Sequence, residues 1–261
     1  MNSGLATRAG LRAELAALGL MSGDAVLVHA ALRAVGPVLG GHDAVIDALR
    51  DVVGPDGTIL GYCDWQLEDE VRDDPALRQH IAAFDPLRSR STRDNGAFPE
   101  MLRTIPGALR SGNPGASMAA LGGRAEWFTV DHALDYGYGE QSPLGKLVLA
   151  DGKVLMLGAP LDTMTLLHHA EHLANFPNKR IRRYETPILI DGETVWRWFE
   201  EFDTSNAPDG LPEDYFATIV EEFLATGRGT RGRIGAASSV LVHAAEIVPF
   251  AVAWMERALT T

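Results

Sequence analysis

The stretch Val154-Leu-Met-Leu-Gly158-Ala-Pro160, followed by Thr165-Leu-Leu-His168-His169-Ala-Glu171-His172, carries the most information in this chain. Its first part is an apolar run of strand length that ends in a Gly-Ala-Pro turn, and its second part suits a helix. That helix carries three of the chain's eight histidines within five positions. Histidine is the side chain whose unperturbed pKa, about 6.5, lies closest to neutral pH. The stretch therefore predicts a buried strand, a turn and a helix with functional histidines.

The residues that precede this unit continue a regular α/β pattern. Residues 25–31 and 58–63 are apolar runs of strand length, and residues 42–53 between them have apolar side chains at helical spacing. Strand, helix and strand in this order predict a parallel crossover within one sheet. An amphipathic helix is expected earlier, over residues 5–18, because Gly19 follows it as a stop signal.

A long charged segment interrupts the pattern at residues 64–95, which contain Pro75 and Pro86. Segments of this length without periodicity are more often lids or binding loops than scaffold. Residues 116–121 predict a further strand. Ser142 before Pro143 is a typical N-cap and first-turn pair, and it predicts a helix that runs to residue 150.

The C-terminal third begins with a hairpin signal, since Asp191-Gly192 separates two alternating stretches, residues 182–189 and 194–199. Three stretches complete the pattern: an amphipathic helix at 213–225, a glycine-rich stretch at 227–235 and a second amphipathic helix at 243–259.

Together these elements predict an α/β fold with a mixed central sheet flanked by helices, an inserted long substrate loop and a β-hairpin. The sequence contains no clear internal boundary, so we expect residues 1–261 to form a single α/β domain. A domain of this size removes roughly 75% of its unfolded surface from water.

Composition narrows the class of protein. The apolar content of 46% and charged content of 22% are ordinary for a globular enzyme, and the single cysteine, Cys63, excludes an internal disulfide framework. The formal net charge of −12 disfavours nucleic acid and anionic membranes as partners and favours cations. We find neither a signal peptide nor an apolar run of the roughly 20 residues that span a bilayer. We therefore expect a cytoplasmic protein that binds no nucleic acid and no membrane.

The histidine cluster permits a zinc site. His168-x-x-Glu171-His172 matches the H-x-x-E-H pattern of one class of zinc peptidases. Histidines at i and i+4 share a helix face, so they can bind one Zn²⁺ with Glu171 between them as a base. Glu246 is the candidate for the third ligand. Against zinc, five-letter motifs arise by chance in a histidine-rich turn, and peptidases of this class are much larger.

The competing interpretation is acid–base catalysis without a metal. Glu171 lies three residues after His168, close enough on a helix face to orient the imidazole or tune its charge. Thr165, one turn earlier, places a hydroxyl on the same face. His168 then acts as a general base that deprotonates an amine nucleophile, and His169 is a packed or hydrated side residue of the helix.

Five motifs follow one another along the chain: Val28-His29-Ala-Ala-Leu-Arg33-Ala-Val-Gly36-Pro-Val, Gly54-Pro-Asp-Gly-Thr58 with a following strand and Trp65, Arg110-Ser-x-Asn-Pro-x-x-Ser117-Met, Tyr138-Gly-x-x-Ser142-Pro, and Leu157-Gly-Ala-Pro-Leu-x-Thr-x-Thr165-x-Leu-His168-x-Ala-Glu171. In this order they resemble the motifs of the aminoglycoside 3-N-acetyltransferases of the antibiotic N-acetyltransferase family. The resemblance runs from about residue 11 to residue 254, nearly the whole chain. The pyrophosphate loop of the GCN5-related acetyltransferases has no convincing counterpart in this chain.

This resemblance implies the family's fold and its reaction, the transfer of an acetyl group from acetyl-CoA to the 3-amino group of a 2-deoxystreptamine aminoglycoside, with antibiotic resistance as the outcome. It places the catalytic histidine at His168, its support at Glu171 and a thioester neighbour at Thr165. It implies direct transfer without a metal. Cys63 is the rival as a covalent acetyl carrier, but a thiol at the end of an apolar strand is more often a buried structural group.

The resemblance also implies two sets of binding residues. Arg33 is expected to meet a phosphate of the co-substrate, and Asn113 stands where many relatives have histidine. The acetyl-CoA set is His29, Ala30, Ala31, Leu32, Arg33, Val35, Gly36, Ser111, Asn113, Ser117 and Ser142. The aminoglycoside set, rich in carboxylates that suit ammonium groups, is Asp64, Trp65, Asp203, Glu213 and Asp214. Glu68, Asp69 and Glu70 are further candidates for this set, with a solvated charge run as the default interpretation. A homodimer and a family member that acetylates another amine are left open.

Overall fold

The computed structural model describes residues 4–204 and 206–259. The strands in these residues are β1 (Ala25–Ala30), β2 (Thr58–Tyr62), β3 (Leu109–Arg110), β4 (Met118–Gly122), β5 (Lys153–Leu157), β6 (Ile181–Ile190), β7 (Glu193–Phe202), β8 (Thr230–Ile234) and β9 (Ala237–His243). Seven of them form one sheet in the order β3-β4-β2-β1-β5-β9-β8, and β6 pairs with β7 alone.

The central sheet is mixed, as predicted. β1 runs parallel to both β2 and β5, and the crossover from β1 to β2 passes through a helix. β4 and β9 pair antiparallel with β2 and β5 on either side of this parallel trio. The carboxyl ends of the three parallel strands therefore meet at one edge of the sheet.

Helices cover both faces of the sheet. They are α1 (Arg8–Leu18), α2 (Asp43–Val53), α3 (Asp69–Asp73), α4 (Pro75–Arg78), α5 (Ala97–Arg103), α6 (Ala125–Thr129), α7 (Pro143–Leu149), α8 (Leu166–Leu173), α9 (Tyr215–Ala225) and α10 (Ala244–Leu259). Among the residues that the structure describes, no helix is long and apolar enough to cross a membrane.

Two hydrophobic cores lie on opposite faces because side chains alternate along each strand. In β1, Val26 and Val28 pack with residues of α1, α2 and α5, whereas Ala25 and Leu27 pack with residues of α6 to α10. The same alternation in β5 sends Leu155 into the first core. Strands that are buried on both faces need continuous apolar runs, which explains the composition of residues 25–28 and 154–157.

The turn after β5 leads the chain directly into the histidine-bearing helix. Gly158 has φ +65°, and a Cβ at this position would lie 2.7 Å from Cβ of Ala34. Only glycine accepts both the left-handed backbone and this close approach. A 3₁₀ turn at Leu161–Thr163 follows, and α8 then begins at the carboxyl edge of the sheet.

The hairpin of β6 and β7 is confirmed. Its turn residues Asp191 and Gly192 both have positive φ, 51° and 84°, as the predicted two-residue turn requires. Phe84 lies on the hairpin through hydrogen bonds with the backbone of Pro187 and Leu189. Phe84, Ile188 and Phe199 form a third, small core that joins the charged segment to the hairpin.

Two sequence expectations were wrong in detail. The segment of residues 64–95 is not a plain loop, because it contains α3 and α4, which are short and lack an apolar stripe. The stretch 227–235 is not a simple connection between helices, since β8 lies in it and β9 continues to His243, so α10 starts at Ala244. Glycine obscured the strand signal of β8: Gly232 lies in the middle of the strand, where a Cβ would lie 2.8 Å from Cδ1 of Leu18 in α1.

A buried ion pair closes the other end of the parallel strands. Lys153 is 2% exposed, and its Nζ lies 2.7 Å from Oδ2 of Asp24 and 2.9 Å from the carbonyl oxygen of Gly19. Removing one partner from a buried pair leaves an uncompensated charge, which is strongly destabilising.

We predict that Asp24→Asn lowers the free energy of unfolding by about 3 kcal/mol in urea denaturation. The matched control is Glu221→Gln, which removes the charge from an exposed pair with Arg231 and should cost less than about 1 kcal/mol. Equal losses in the two variants would show that the buried pair does not hold this end of the sheet.

Candidate active site

A hydrogen-bonded pair at the start of α8 forms the centre of the site. Nδ1 of His168 lies 2.5 Å from Oε2 of Glu171, three residues later on the same helix. Glu171 is 2% exposed, and the hydroxyl of Tyr215 donates to its other oxygen, Oε1. Because Nδ1 is engaged with the carboxylate, Nε2 is the nitrogen of His168 that a substrate can meet.

Aromatic rings hold the imidazole on two sides. The ring centroids of Tyr138 and Phe216 each lie 5.0 Å from that of His168. Tyr138 is itself fixed, since its hydroxyl lies 2.7 Å from that of Tyr62, which donates to the carbonyl oxygen of Gly115. Burial raises the pKa of both tyrosines, so both are neutral hydrogen-bonding groups.

Two clefts meet at His168. The narrower cleft, of about 350 Å³, lies at the carboxyl ends of β1 and β5 and is bordered by Ala30, Ala31 and Thr165. The wider cleft, of about 650 Å³, lies between the segment of residues 65–70 and the hairpin. His168 and Tyr62 line both clefts. A histidine that borders two adjoining clefts can act on two substrates bound side by side.

The wider cleft is acidic. Its lining includes Glu68, Asp69, Glu70 and Glu201. Asp69 is paired with Arg72 and Arg182, whereas Glu201 lies deeper, hydrogen-bonded with Tyr184, and burial raises the pKa of its carboxyl. The charge run at residues 68–70, for which a solvated surface was the default interpretation and drug binding the alternative, therefore borders this cleft.

Sequence reasoning missed Glu201. The predicted hairpin strand stopped at Phe199, two residues short of it, but β7 continues to Phe202. Residues i and i+2 share a face of a strand, and Phe199 is buried in the third core. Glu201 therefore lies on the same face of β7 as the core residue Phe199, and a carboxylate at such an inward-facing position is the sequence signal for a functional residue.

The predicted aminoglycoside residues take different positions. Trp65 lines the wider cleft, and Asp64 is buried next to it, with hydrogen bonds from Asn95 and Gln66. Burial raises the pKa of Asp64, and the two amides oppose this shift. Asp203 lines a separate small cavity beyond the hairpin end.

Glu213 and Asp214 lie immediately before α9. Oε2 of Glu213 accepts from the backbone N–H of Ala207 at 3.4 Å. Neither residue borders the wider cleft within the described parts of the chain. The roles of all five residues in drug binding stay predictions.

On the acetyl-CoA side, His29, Ala30 and Ala31 line the narrower cleft. Nε2 of His29 accepts from the backbone N–H of Thr165 at 3.4 Å. Burial and then the nearby His168 lower the pKa of His29 to about 4, so this imidazole is neutral near pH 7. The narrower cleft is therefore bordered by Thr165, His29 and His168 together.

The next residues of that motif turn away from the cleft. Leu32 and Val35 belong to the core that faces α1 and α2, while Arg33 is exposed on the 3₁₀ helix Leu32–Val35. Gly36 follows with φ +81° and forms the cap of this turn. A contact of Arg33 with a phosphate stays a prediction.

The remaining predicted cofactor residues are interior. Ser111 bonds with His132 and with the N–H of Met118, and the hydroxyl of Ser117 donates to the carbonyl oxygen of Cys63. Asn113 donates to two backbone carbonyls and accepts from one N–H. These side chains shape the loops next to the site.

Ser142 caps α7, as predicted, by accepting from the N–H of Gly145 at 3.1 Å. It is 2% exposed. Its hydroxyl oxygen therefore has a structural partner, and a role in cofactor binding stays a prediction from the sequence.

Two rival chemistries find little support in the geometry. Cys63 is fully buried, and burial raises the pKa of its thiol, which disfavours the thiolate that a covalent carrier needs. Both oxygens of Glu171 are bonded, to His168 and Tyr215. In residues 4–204 and 206–259, no group of three or more His, Cys, Asp or Glu side chains is placed to hold a metal ion.

Two clefts that meet at a histidine–glutamate pair suit an enzyme that acts on two substrates. The model of the aminoglycoside 3-N-acetyltransferase family matches residues 27–256. This chain belongs to that family and is an acyltransferase.

Similar proteins cover nearly the whole chain. Aminoglycoside N(3)-acetyltransferase III of Pseudomonas aeruginosa is 46% identical over 258 residues, which are 96% of this chain and 93% of that protein. The structure of AAC-IIIb in a binary complex with CoASH is 61% identical, with a TM-score of 0.95 and 98% of each chain covered. AAC-VIa bound to sisomicin is 37% identical, with a TM-score of 0.92, and the match covers 98% of this chain and all of that one.

We predict that Ser142→Ala lowers the free energy of unfolding by about 1 kcal/mol, because α7 loses its cap. Urea denaturation measures this loss. The KM for acetyl-CoA should stay within twofold of the unsubstituted enzyme. A clear rise in this KM at unchanged stability would place the hydroxyl in the cofactor site instead of the cap.

Proposed function

We propose that this enzyme acetylates the 3-amino group of 2-deoxystreptamine aminoglycosides with acetyl-CoA, by direct transfer with His168 as the general base. One observation carries the proposal. His168 borders both clefts, and its Nδ1 is bonded to the buried Glu171. The outcome for a cell is resistance to these antibiotics.

The assignment of a substrate to each cleft follows from the lining residues. Small side chains, Ala30, Ala31 and Ala159, leave room in the narrower cleft for the thioester end of acetyl-CoA. The wider cleft has the carboxylates that a polycationic drug needs. AAC-IIIb forms a complex with CoASH and AAC-VIa binds sisomicin, which supports acetyl-CoA and an aminoglycoside as the two substrates.

The acidic cleft favours the drug electrostatically. Carboxylates on low-dielectric walls raise the local concentration of a cation and its association rate, and salt weakens this effect. Half-buried Glu201 provides a direct partner for an ammonium group near His168. Trp65 adds an apolar wall against which a sugar ring can pack.

The reaction removes two protons from the nitrogen of the drug. The 3-ammonium group of the drug gives one proton to Nε2 of His168, and the free amine attacks the thioester carbonyl carbon. The new C–N bond forms and the C–S bond breaks. The second proton of the nitrogen goes to the departing sulfur, so CoA leaves as the thiol and His168 returns its proton to water. Thr165, beside the thioester, is the candidate donor to the developing oxyanion.

Three broader features are also part of this proposal. Residues 1–261 act as a single domain, because the two main cores lie on opposite faces of one sheet. The enzyme acts in the cytoplasm, where acetyl-CoA is available. The third feature is assembly into a homodimer, and analytical ultracentrifugation of the purified protein measures this oligomeric state directly.

We predict that His168→Ala lowers kcat by about 10²–10⁴, the usual contribution of a general acid–base group. The assay measures CoA release from acetyl-CoA by chelator-treated enzyme, with and without gentamicin. Cys63→Ala is the control and should keep most of the activity, because its buried thiol takes no part in direct transfer.

Turnover of His168→Ala close to that of the unsubstituted enzyme would remove His168 as the base. Loss of activity in Cys63→Ala, with folding intact, would support a covalent intermediate. Activity that requires added Zn²⁺ would return the H-x-x-E-H motif to consideration. No drug-dependent release by the unsubstituted enzyme would point to another amine as the substrate.

We predict that Glu201→Gln raises the KM for the aminoglycoside at least tenfold and leaves the KM for acetyl-CoA unchanged, because a hydrogen bond to a charged group is worth about 1.5–3 kcal/mol. Steady-state kinetics at two salt concentrations measures this. Asp203→Asn, outside the wider cleft, is the matched comparison and should have a smaller effect. A larger effect at Asp203 would show that the drug reaches past the end of the hairpin.

A further inference from the structure

Tyr215 is the first residue of α9 and is 4% exposed. Its hydroxyl donates to Oε1 of Glu171, whose Oε2 faces His168. Within the described part of the chain, Tyr215 lines neither of the two clefts. Tyr215 therefore reaches His168 only through Glu171 and does not contact a substrate bound in either cleft.

Packing fixes this hydroxyl in place. The ring of Tyr215 stacks on Trp254 of α10, with 6.4 Å between centroids and 21° between planes. It meets Phe216 edge-on at 4.7 Å, and Phe216 in turn packs against His168. The start of α9 thus supplies a donor to Glu171 and a wall for the imidazole from two consecutive residues.

A buried carboxylate needs such a donor. Transfer of a charged group out of water is costly unless hydrogen bonds replace its hydration. Glu171 is 2% exposed, and its oxygens have one side-chain partner each, His168 on one and Tyr215 on the other. Burial and then Glu171 raise the pKa of Tyr215, so the tyrosine donates as a neutral phenol.

We propose that Tyr215 is a positioning residue for the reaction, and that its hydroxyl sets how tightly the Glu171–His168 pair holds a proton. This inference rests on the proposed function, because it assigns His168 the role of base. Through Glu171 the hydroxyl determines the pH range in which His168 is free to accept the proton of the amine.

The direction of the effect follows from the charge on Glu171. A phenol that donates to Oε1 withdraws electron density from the carboxylate and stabilises its charged form. Without the phenol, the carboxylate attracts a proton more strongly. Whether that proton resides on Glu171 or on His168, the hydrogen-bonded pair binds it more tightly.

Other titratable groups also face this pair, from several elements. These groups are the same in the unsubstituted enzyme and in Tyr215→Phe, so they do not cause the difference in pH profile between the two. They are His29 on β1, Tyr138 in the loop before α7, Lys179 after α8 and Glu201 on β7, while Glu213 before α9 interacts with Tyr215 itself.

The test is Tyr215→Phe, which keeps the ring and removes the hydroxyl. We expect the acid limb of the pH profile of kcat/KM to move up by about one pH unit, because a hydrogen bond to a charged group is worth at least that much. At pH values below this limb, kcat/KM of Tyr215→Phe is about tenfold lower than that of the unsubstituted enzyme, and at high pH the two are equal. The KM for acetyl-CoA stays unchanged.

The matched control is Tyr136→Phe. The hydroxyl of Tyr136 donates to Oε1 of Glu200 at 2.6 Å, outside both clefts, so this variant removes a similar bond with no link to Glu171. Its pH profile should equal that of the unsubstituted enzyme. A double variant, Tyr215→Phe with Glu171→Gln, should have the profile of Glu171→Gln alone, because the hydroxyl acts only through that carboxylate.

The outcomes separate this inference from the proposed function. A loss of kcat by the same factor at every pH in Tyr215→Phe, or an unchanged profile, overturns the role of Tyr215 while His168→Ala still identifies the base. A further shift of the limb when Tyr215→Phe is added to Glu171→Gln also overturns it. If His168→Ala keeps its activity, the proposed function fails first.

Discussion

The burial of one carboxylate constrains the whole site. Glu171 lies on α8 with almost no contact to solvent, so its two oxygens must find donors inside the protein. One partner is on the same helix and the other comes from α9, whose first ring is held by α10. The helices α8, α9 and α10 therefore have to pack together correctly before His168 can face both clefts. The base depends on the packing of this side of the sheet.

The sheet provides the other half of the arrangement. Parallel strands β1, β2 and β5 bring His29, Tyr62 and the turn before Thr165 to one edge, because their carboxyl ends point the same way. Ligands of open α/β sheets bind outside these ends. The hairpin and the segment of residues 64–95 then close the wider cleft from above, joined by the small core around Phe84. The scaffold thus separates a narrower cleft at the strand ends from a wider, acidic cleft beside the hairpin.

Much of this could be predicted from the sequence because the relevant signals are local. Apolar runs and caps identified β1, β2, β5 and the hairpin, and the spacing of His168 and Glu171 predicted their contact on one helix face. The failures have physical causes. β8 was missed since glycine lets it pack on α1, and α3 and α4 are too short for a periodic pattern. Tyr215 and Glu201 reach the site from distant segments, and spacing along the chain contains no record of such contacts.

The serines and Asn113 illustrate a more general limit. Their motifs resemble the family, and the resemblance suggested ligand contacts. In the fold their polar atoms are bonded to backbone groups, where they shape the loops around the site. A buried polar group without a partner is costly, so motif residues of this kind are under structural constraint whether or not they touch a ligand. A sequence motif therefore marks where a site is, while the hydrogen-bond partners decide which of its members are free to act on a substrate.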